Sequence, residues 1–131
     1  MAGSTLPIRV GEDVVRVRQE VRRFAIEAGL GLVDQTKIVT AASELARNTL
    51  DHGKGGQASV EVVQNGVRRG VRIVFEDKGP GIADIELALK DGYTSGQGMG
   101  LGLGGARRLC NEFAITSEPG KGTSVTIARW K

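Results

Sequence analysis

The stretch "ELARNTLDH" carries three polar side chains at a spacing of four residues, Glu44, Asn48 and His52. At about 100° per residue in a helix, they fall within a stripe of roughly 80°. The neighbouring sector would hold Ile38, Ala42, Leu45 and Thr49. A carboxylate, a carboxamide and an imidazole would therefore line the rim of a groove beside the buried face. The alternative is a solvated helix face, which such residues form more often.

A second cluster, "EDKGPGI", begins where an alternating strand pattern ends. A carboxylate at Asp77 could accept a hydrogen bond from an exocyclic amine at the edge of a ring. Gly79 and Gly81 would let the backbone approach a flat ligand closely. Two glycines around a proline also fit a tight turn with no ligand, so both interpretations stay open.

The third cluster, "GQGMGLGLGG", lies in a segment where glycine fills seven of the fourteen positions from Gly92 to Gly105. Backbone amides ahead of a helix can surround phosphate oxygens, and side chains would obstruct them. A dinucleotide-binding interpretation fails because no strand immediately precedes the glycines. The protein-kinase glycine loop fails because its companion motifs are missing. A glycine-rich loop without a ligand is the remaining alternative.

The elements that would position these clusters follow from periodicity. We expect a strand from Thr5 to Val10, helices over 13–28 and 34–53, and a hairpin of strands 57–64 and 70–77. A short helix near 82–92, a helix after the glycine segment, and strands 114–117 and 123–130 complete the order. This order predicts an α+β two-layer sandwich in which helices cover one face of a mixed, mostly antiparallel sheet. We expect residues 1–131 to form a single domain.

Composition limits the function classes. The net charge is +3 and aromatic residues make up 4% of the 131 residues, which argues against direct nucleic-acid binding. Cys110 is the sole cysteine, so no internal disulfide can form. The sequence contains no apolar run long enough to span a membrane and no secretory leader pattern. We expect a cytoplasmic protein that does not act at a membrane.

The three clusters, taken in order, resemble the motifs of the GHKL ATPase superfamily, which has the Bergerat nucleotide-binding fold. "ELARNTLDH" is similar to its N-box, "DKGPGI" to its G1 box and "GQGMGLGL" to its G2 box. "GKGTSV" is similar to the short element that carries a threonine. The resemblance covers essentially the whole chain. Within the superfamily, the chain length and the motif "SELARN" most resemble those of the small serine/threonine kinases of bacterial partner switching. These are of the RsbT type, which acts with the stressosome. The RsbW and SpoIIAB types of anti-sigma factor are cousins.

The resemblance implies a role for each matching residue. Asp77 would bind the adenine amino group, supported by Thr123, and Asn48 would supply an oxygen to Mg²⁺. Glu44 would accept the proton of a substrate hydroxyl while ATP becomes ADP. The nucleotide-binding set would also contain Gly79, Gly81, Gly98, Gly100, Leu101 and Gly102.

The resemblance also implies partners. The substrate would be a serine or threonine on a STAS-domain antagonist protein, and a PP2C-type phosphatase or another output protein would be the second partner. The alternative is a nucleotide-dependent anti-sigma factor that acts mainly by sequestering a sigma factor. Retention of Glu44 favours catalysis, because nucleotide sensing alone needs Asn48 and Asp77 but no base.

Overall fold

The computed structural model describes residues 3–89 and 102–131 of the chain. Five strands and four helices follow one another in these residues. In chain order they are β1 (Gly3–Ile8), α1 (Gly11–Glu27), α2 (Leu32–Asp51), β2 (Gly56–Asn65), β3 (Arg68–Asp77), α3 (Ile85–Ala88), α4 (Gly102–Arg108), β4 (Glu112–Glu118) and β5 (Gly122–Trp130).

The strands form one sheet in the order β1-β2-β3-β5-β4, and its four ladders are all antiparallel. The predicted α+β class is therefore confirmed, with no parallel pair among the described strands where a mixed sheet was expected. The physical reason lies in the connections. Two strand pairs are hairpins, and the two consecutive helices between β1 and β2 bring the chain back in the opposite direction.

The first strand ends earlier than the sequence pattern predicts. It stops at Ile8, because the backbone N–H groups of Arg9 and Val10 donate to Asp13 Oδ2 at 2.8 and 3.1 Å. Asp13 lies in the first turn of α1, so its carboxylate caps the start of the helix by accepting from these N–H groups, which then do not extend the sheet. The predicted β2–β3 hairpin is present, but both strands continue closer to the turn than expected: Asn65 pairs with Arg68, which leaves only Gly66 and Val67 in the turn.

The helices α1 and α2 cover one face of the sheet. The largest fully buried side chains come from both layers and include Phe24, Val21, Ile38, Leu45, Ile73 and Phe75. Burial of this apolar surface is the main stabilising contribution, at roughly 25 cal/mol per Å² removed from water. The buried side chains form one cluster. That residues 1–131 form a single domain stays a prediction.

Strand register places three polar residues side by side at one end of the sheet. Asp77 of β3 is opposite Thr123 of β5, and Thr123 is opposite Ser117 of β4. Alternation along each strand puts all three on the side that the helices cover. On that side, Asp77 and Thr123 form the next pair after Phe75 and Val125, two residues further along each strand. This end of the sheet adjoins the C-terminal end of α2. Within residues 3–89 and 102–131, no helix combines the length and the apolar character that crossing a membrane requires.

Candidate nucleotide site

The last two turns of α2 carry Glu44 and Asn48 on the edge of its buried face. Both side chains are half-buried, whereas the flanking Leu45 and Thr49 are buried. The predicted stripe beside the buried sector is therefore present. In the described part of the chain neither Glu44 nor Asn48 makes a side-chain hydrogen bond, so both polar groups are available to a ligand. His52 is exposed and occupies the C-cap of α2.

Asp77 ends β3 with one carboxylate oxygen fixed by the backbone. Oδ1 accepts hydrogen bonds from the N–H groups of Gly79 at 2.9 Å and Thr123 at 3.3 Å. Among the described residues Oδ2 has no hydrogen-bond partner. The side chain is half-buried, so Oδ2 can accept a hydrogen bond from a donor that binds at this end of the sheet.

A hydroxyl pair lies next to this carboxylate. Thr123 Oγ1 is 2.8 Å from Ser117 Oγ, and the backbone N–H of Ile82 donates to Ser117 Oγ at 2.7 Å. Ser117 also donates to the carbonyl oxygen of Gly122 at 3.1 Å. Through these contacts Thr123, β4 and the loop after β3 form one connected network.

Glycines allow α2 and β3 to meet. The residue that follows α2 by two positions, Gly53, lies against Asp77, where an added Cβ would be 2.5 Å from Oδ2. An added Cβ at Gly79 would be 2.7 Å from the carbonyl oxygen of Gly53. Because the N–H of Gly53 also donates to the Asn48 carbonyl oxygen at 3.1 Å, the end of α2 is held directly against the Asp77 loop.

Packing within the protein also explains why the other glycines of the site, Gly81 and Gly122, carry no side chain. Gly81 has a φ of 77°, and a Cβ there would overlap the carbonyl oxygen of Glu118. Gly122 has a φ of 101°, and a Cβ there would overlap the carbonyl oxygen of Asp77. Chain packing alone therefore explains Gly79 and Gly81, which the sequence associated with a flat ligand. Their contact with a nucleotide stays a prediction.

The predicted site residues are thus brought together in part. Asp77, Thr123 and Gly79 are in direct contact, and Gly53 joins them to the helix of Glu44 and Asn48. Gly102 begins α4 with a φ of 71°. Gly98, Gly100 and Leu101 lie outside the described residues.

Sequence reasoning missed Ser117 and Gly53 as members of the site. Ser117 had been read as the end of a strand, and Gly53 as the end of a helix. A signal for Ser117 did exist. In a β-hairpin, residues that face each other across a tight turn point to the same side, so the turn after Glu118 places Ser117 opposite Thr123. Gly53 had no such local signal, because its neighbour Asp77 is distant in sequence.

Metal binding would rest on few protein oxygens. Among the described residues no group of three or more His, Cys, Asp or Glu side chains could hold a metal ion. The unpaired carboxamide of Asn48 fits a different mode, in which Mg²⁺ takes one protein oxygen and completes its shell from phosphates and water. Burial raises the pKa of the Cys110 thiol to about 12, so this thiol stays protonated and is a poor ligand and nucleophile.

Comparison with known proteins agrees with this arrangement. The family model described as "Histidine kinase-, DNA gyrase B-, and HSP90-like ATPase" matches residues 33–131. The serine/threonine-protein kinase RsbT of Bacillus subtilis is 43% identical over 118 residues, which are 90% of this chain and 89% of that protein. An anti-sigma F factor of Clostridium kluyveri is 26% identical over 116 residues, 86% of this chain and 82% of that protein.

A solved structure supports the same fold. The RsbU and RsbW domains of a Mycobacterium tuberculosis protein match with a TM-score of 0.69 at 23% identity. The match covers 98% of this chain and 32% of the crystallised one, so the present chain spans about a third of the length of that chain. A family match over most of the chain, together with the relative at 43% identity, confirms the resemblance drawn from the motifs. This chain belongs to the histidine kinase-, DNA gyrase B- and HSP90-like ATPase family.

Proposed function

We propose that this chain is an ATP-dependent protein serine/threonine kinase of a bacterial partner-switching system, and that its substrate is a STAS-domain antagonist protein. The observation that carries the proposal is the junction at the end of the sheet. There an unpaired oxygen of Asp77 lies beside Thr123, and Gly53 joins both to the helix that bears Glu44 and Asn48. The 43% identity to a serine/threonine-protein kinase supports this activity.

Base recognition belongs to Asp77. Its Oδ2 accepts a hydrogen bond from the exocyclic amine of adenine, while the Gly79 and Thr123 N–H groups hold Oδ1 and thereby orient the carboxylate. A preorganised acceptor loses little rotational entropy on binding, so its hydrogen bond contributes more to affinity. Thr123 supports the amine directly or through water.

Phosphoryl transfer involves residues of α2 and of the glycine segment from Gly92 to Gly105. Asn48 would contribute its amide oxygen to Mg²⁺, and the bound ion would neutralise charge on the phosphates. As the family resemblance implies, backbone amides from Gly98 to Gly102 would hold the phosphate chain; of these residues the structure describes Gly102. Glu44 accepts the proton of the substrate hydroxyl while the hydroxyl oxygen bonds to the γ-phosphorus. The bond between the γ-phosphorus and the β,γ-bridging oxygen breaks, and ADP leaves. Glu44 precedes Asn48 by one helical turn, so base and metal ligand lie on the same side of α2.

The alternative function is an anti-sigma factor that uses nucleotide to set its conformation and sequesters a sigma factor. The similarity to anti-sigma F factors keeps this candidate, at lower identity than the kinase. Both functions require ATP binding at the same site. They differ in whether the γ-phosphoryl group moves to a protein.

A phosphotransfer assay decides between them. The purified chain is mixed with Mg-ATP and a candidate STAS-domain partner, and the partner is then analysed by intact and peptide mass spectrometry. Addition of one phosphoryl group at a serine or threonine is the expected result, and a reaction with a non-hydrolysable ATP analogue is the control. ATP binding without any transfer, together with retention of a sigma factor on immobilised chain, would instead establish the sequestering function.

A further inference from the structure

The hydroxyl of Ser117 connects the two sides of the adenine-recognition region. We infer that Ser117 is a positioning residue for base recognition, which fixes Thr123 and the loop after Asp77 relative to each other so that the site selects a base with an exocyclic amine. This inference rests on the proposed nucleotide site.

The loop from Lys78 to Ile82 is held against the β4–β5 hairpin. The N–H of Ile82 donates to Ser117 Oγ at 2.7 Å, and the N–H of Gly120 donates to the Pro80 carbonyl oxygen at 2.7 Å. These two hydrogen bonds anchor both the middle and the end of the loop. Because the loop begins directly after Asp77, its position determines where the Gly79 N–H can hold Oδ1.

Ser117 uses its full hydrogen-bonding capacity in this network. A serine hydroxyl has one proton and two lone pairs. One lone pair accepts from the N–H of Ile82 at 2.7 Å, the proton is donated to the carbonyl oxygen of Gly122 at 3.1 Å, and the second lone pair can accept from the Thr123 hydroxyl at 2.8 Å. The side chain is half-buried between strand β4 and the loop after β3. Loss of the hydroxyl would therefore free the loop and Thr123 at the same time.

Replacing Ser117 should weaken recognition of the adenine base and should not slow phosphoryl transfer. Thr123 also donates its N–H to Asp77 Oδ1 at 3.3 Å, so a displaced Thr123 disturbs the carboxylate that receives the amine. Glu44 and Asn48 belong to α2, which makes no hydrogen bond with Ser117 in the described ranges. A change at Ser117 is thus expected to raise KM for ATP and to leave kcat at saturating ATP close to the wild-type value.

The test compares nucleotides that differ only at the recognised group. Affinities of wild type, Ser117→Ala and Ser117→Thr are measured by calorimetry for ATP and for purine riboside triphosphate, which lacks the exocyclic amine. Wild type should prefer ATP. Ser117→Ala should weaken ATP binding by roughly tenfold, as expected for the loss of a hydrogen-bonded contact. The ratio of its affinities for ATP and purine riboside triphosphate should then be close to one. Ser117→Thr keeps a hydroxyl and should retain the preference.

Two controls separate the possible failures. A general loss of structure in Ser117→Ala would lower affinity for both nucleotides equally and leave their ratio unchanged, which would overturn the inference. The same holds if Ser117→Thr loses the preference to the extent that Ser117→Ala does. Asp77→Asn provides the benchmark for complete loss of amine recognition. If wild type binds neither nucleotide, the proposed function fails, whereas wild-type preference with an unaffected Ser117→Ala contradicts only the role of Ser117.

Discussion

Glu44 is the residue on which the assignment of catalysis depends. Its carboxylate is half-buried on α2, one turn before Asn48, and has no hydrogen-bond partner among the described residues. A solvated helix face would leave Glu44 unpaired as well, so the effect of its replacement on phosphotransfer is what distinguishes a catalytic role.

Replacing Glu44 with Gln should therefore reduce phosphotransfer by about 10²-fold to 10⁴-fold, the range typical of a lost general base. ATP affinity should stay near the wild-type value, because the amide occupies the same volume. Transfer is measured by mass spectrometry under single-turnover conditions. Glu27→Gln, an exposed glutamate on α1, is the matched control. Equal transfer rates in wild type and Glu44→Gln, with ATP binding intact, would show that the base assignment is wrong.

Replacement of Asp77 tests nucleotide binding, as replacement of Glu44 tests catalysis. In Asp77→Asn the oxygen of the carboxamide can still accept from Gly79, but an NH₂ group replaces Oδ2 and would face the amine of adenine. ATP affinity should fall by roughly tenfold to a hundredfold, as expected when a charged acceptor is lost. Calorimetry measures the change, and Glu76→Gln, exposed one residue earlier, is the control. Unchanged affinity in Asp77→Asn would place adenine recognition elsewhere.

At the scale of elements, the start of α1 depends on a single carboxylate. Asp13 is 6% exposed and accepts hydrogen bonds from Arg9 and Val10, and Arg16 donates to its other oxygen at 2.8 Å. The backbone hydrogen bonds from Arg9 and Val10 lower the pKa of Asp13 below its ordinary value of 3.8. The charged form is therefore preferentially bound in the folded state.

The sign of the pH dependence follows from this lowered pKa. Asp13 stabilises the fold above its ordinary pKa of 3.8, and this contribution is lost as the pH falls through the lowered folded-state pKa. Asp13→Asn should thus be less stable than wild type at neutral pH, and the difference should shrink in acid. Urea unfolding at several pH values measures it. Glu12→Gln is the control, since the Glu12 side chain is 83% exposed. A difference that stays constant from neutral to acid pH would contradict the assigned cap.

At the scale of the whole molecule, the site exists because α2 and the sheet meet at Gly53. Ligand binding there should stabilise the fold, by about 2.7 kcal/mol when ATP is present at a hundred times its Kd. In Gly53→Ala the new methyl group would lie 2.5 Å from Asp77 Oδ2 and must displace that carboxylate.

We therefore expect Gly53→Ala to lose most of the rise in melting temperature that Mg-ATP produces in wild type. Thermal unfolding with and without Mg-ATP measures the rise within each variant, so a general loss of stability does not affect the comparison. Gly11→Ala is the matched control, because an added Cβ there has nothing within 4 Å. A full ATP-induced rise in Gly53→Ala would mean that the contact with Asp77 is not part of the nucleotide site.

The sequence by itself determined the type and order of the elements and the motifs that identify the family. Helical periodicity around Leu45 located the polar stripe of Glu44 and Asn48, and alternation followed by "DKGPGI" located Asp77. These signals are local, because they depend on which side chains a helix or strand exposes within a few turns or residues. The Asn65-Gly66 signal for a hairpin is local in the same sense, although the turn itself consists of Gly66 and Val67.

Only the tertiary structure decided which residues meet. The contact of Gly53 with Asp77 joins segments that are remote in the chain, and the packing of α2 on the sheet creates it. The same packing explains Gly79, whereas the approach of the loop after β3 to Glu118 explains Gly81. Cross-strand register brings Ser117, Thr123 and Asp77 into one network. Such contacts depend on how separate elements dock, which the periodicity of any one element does not encode.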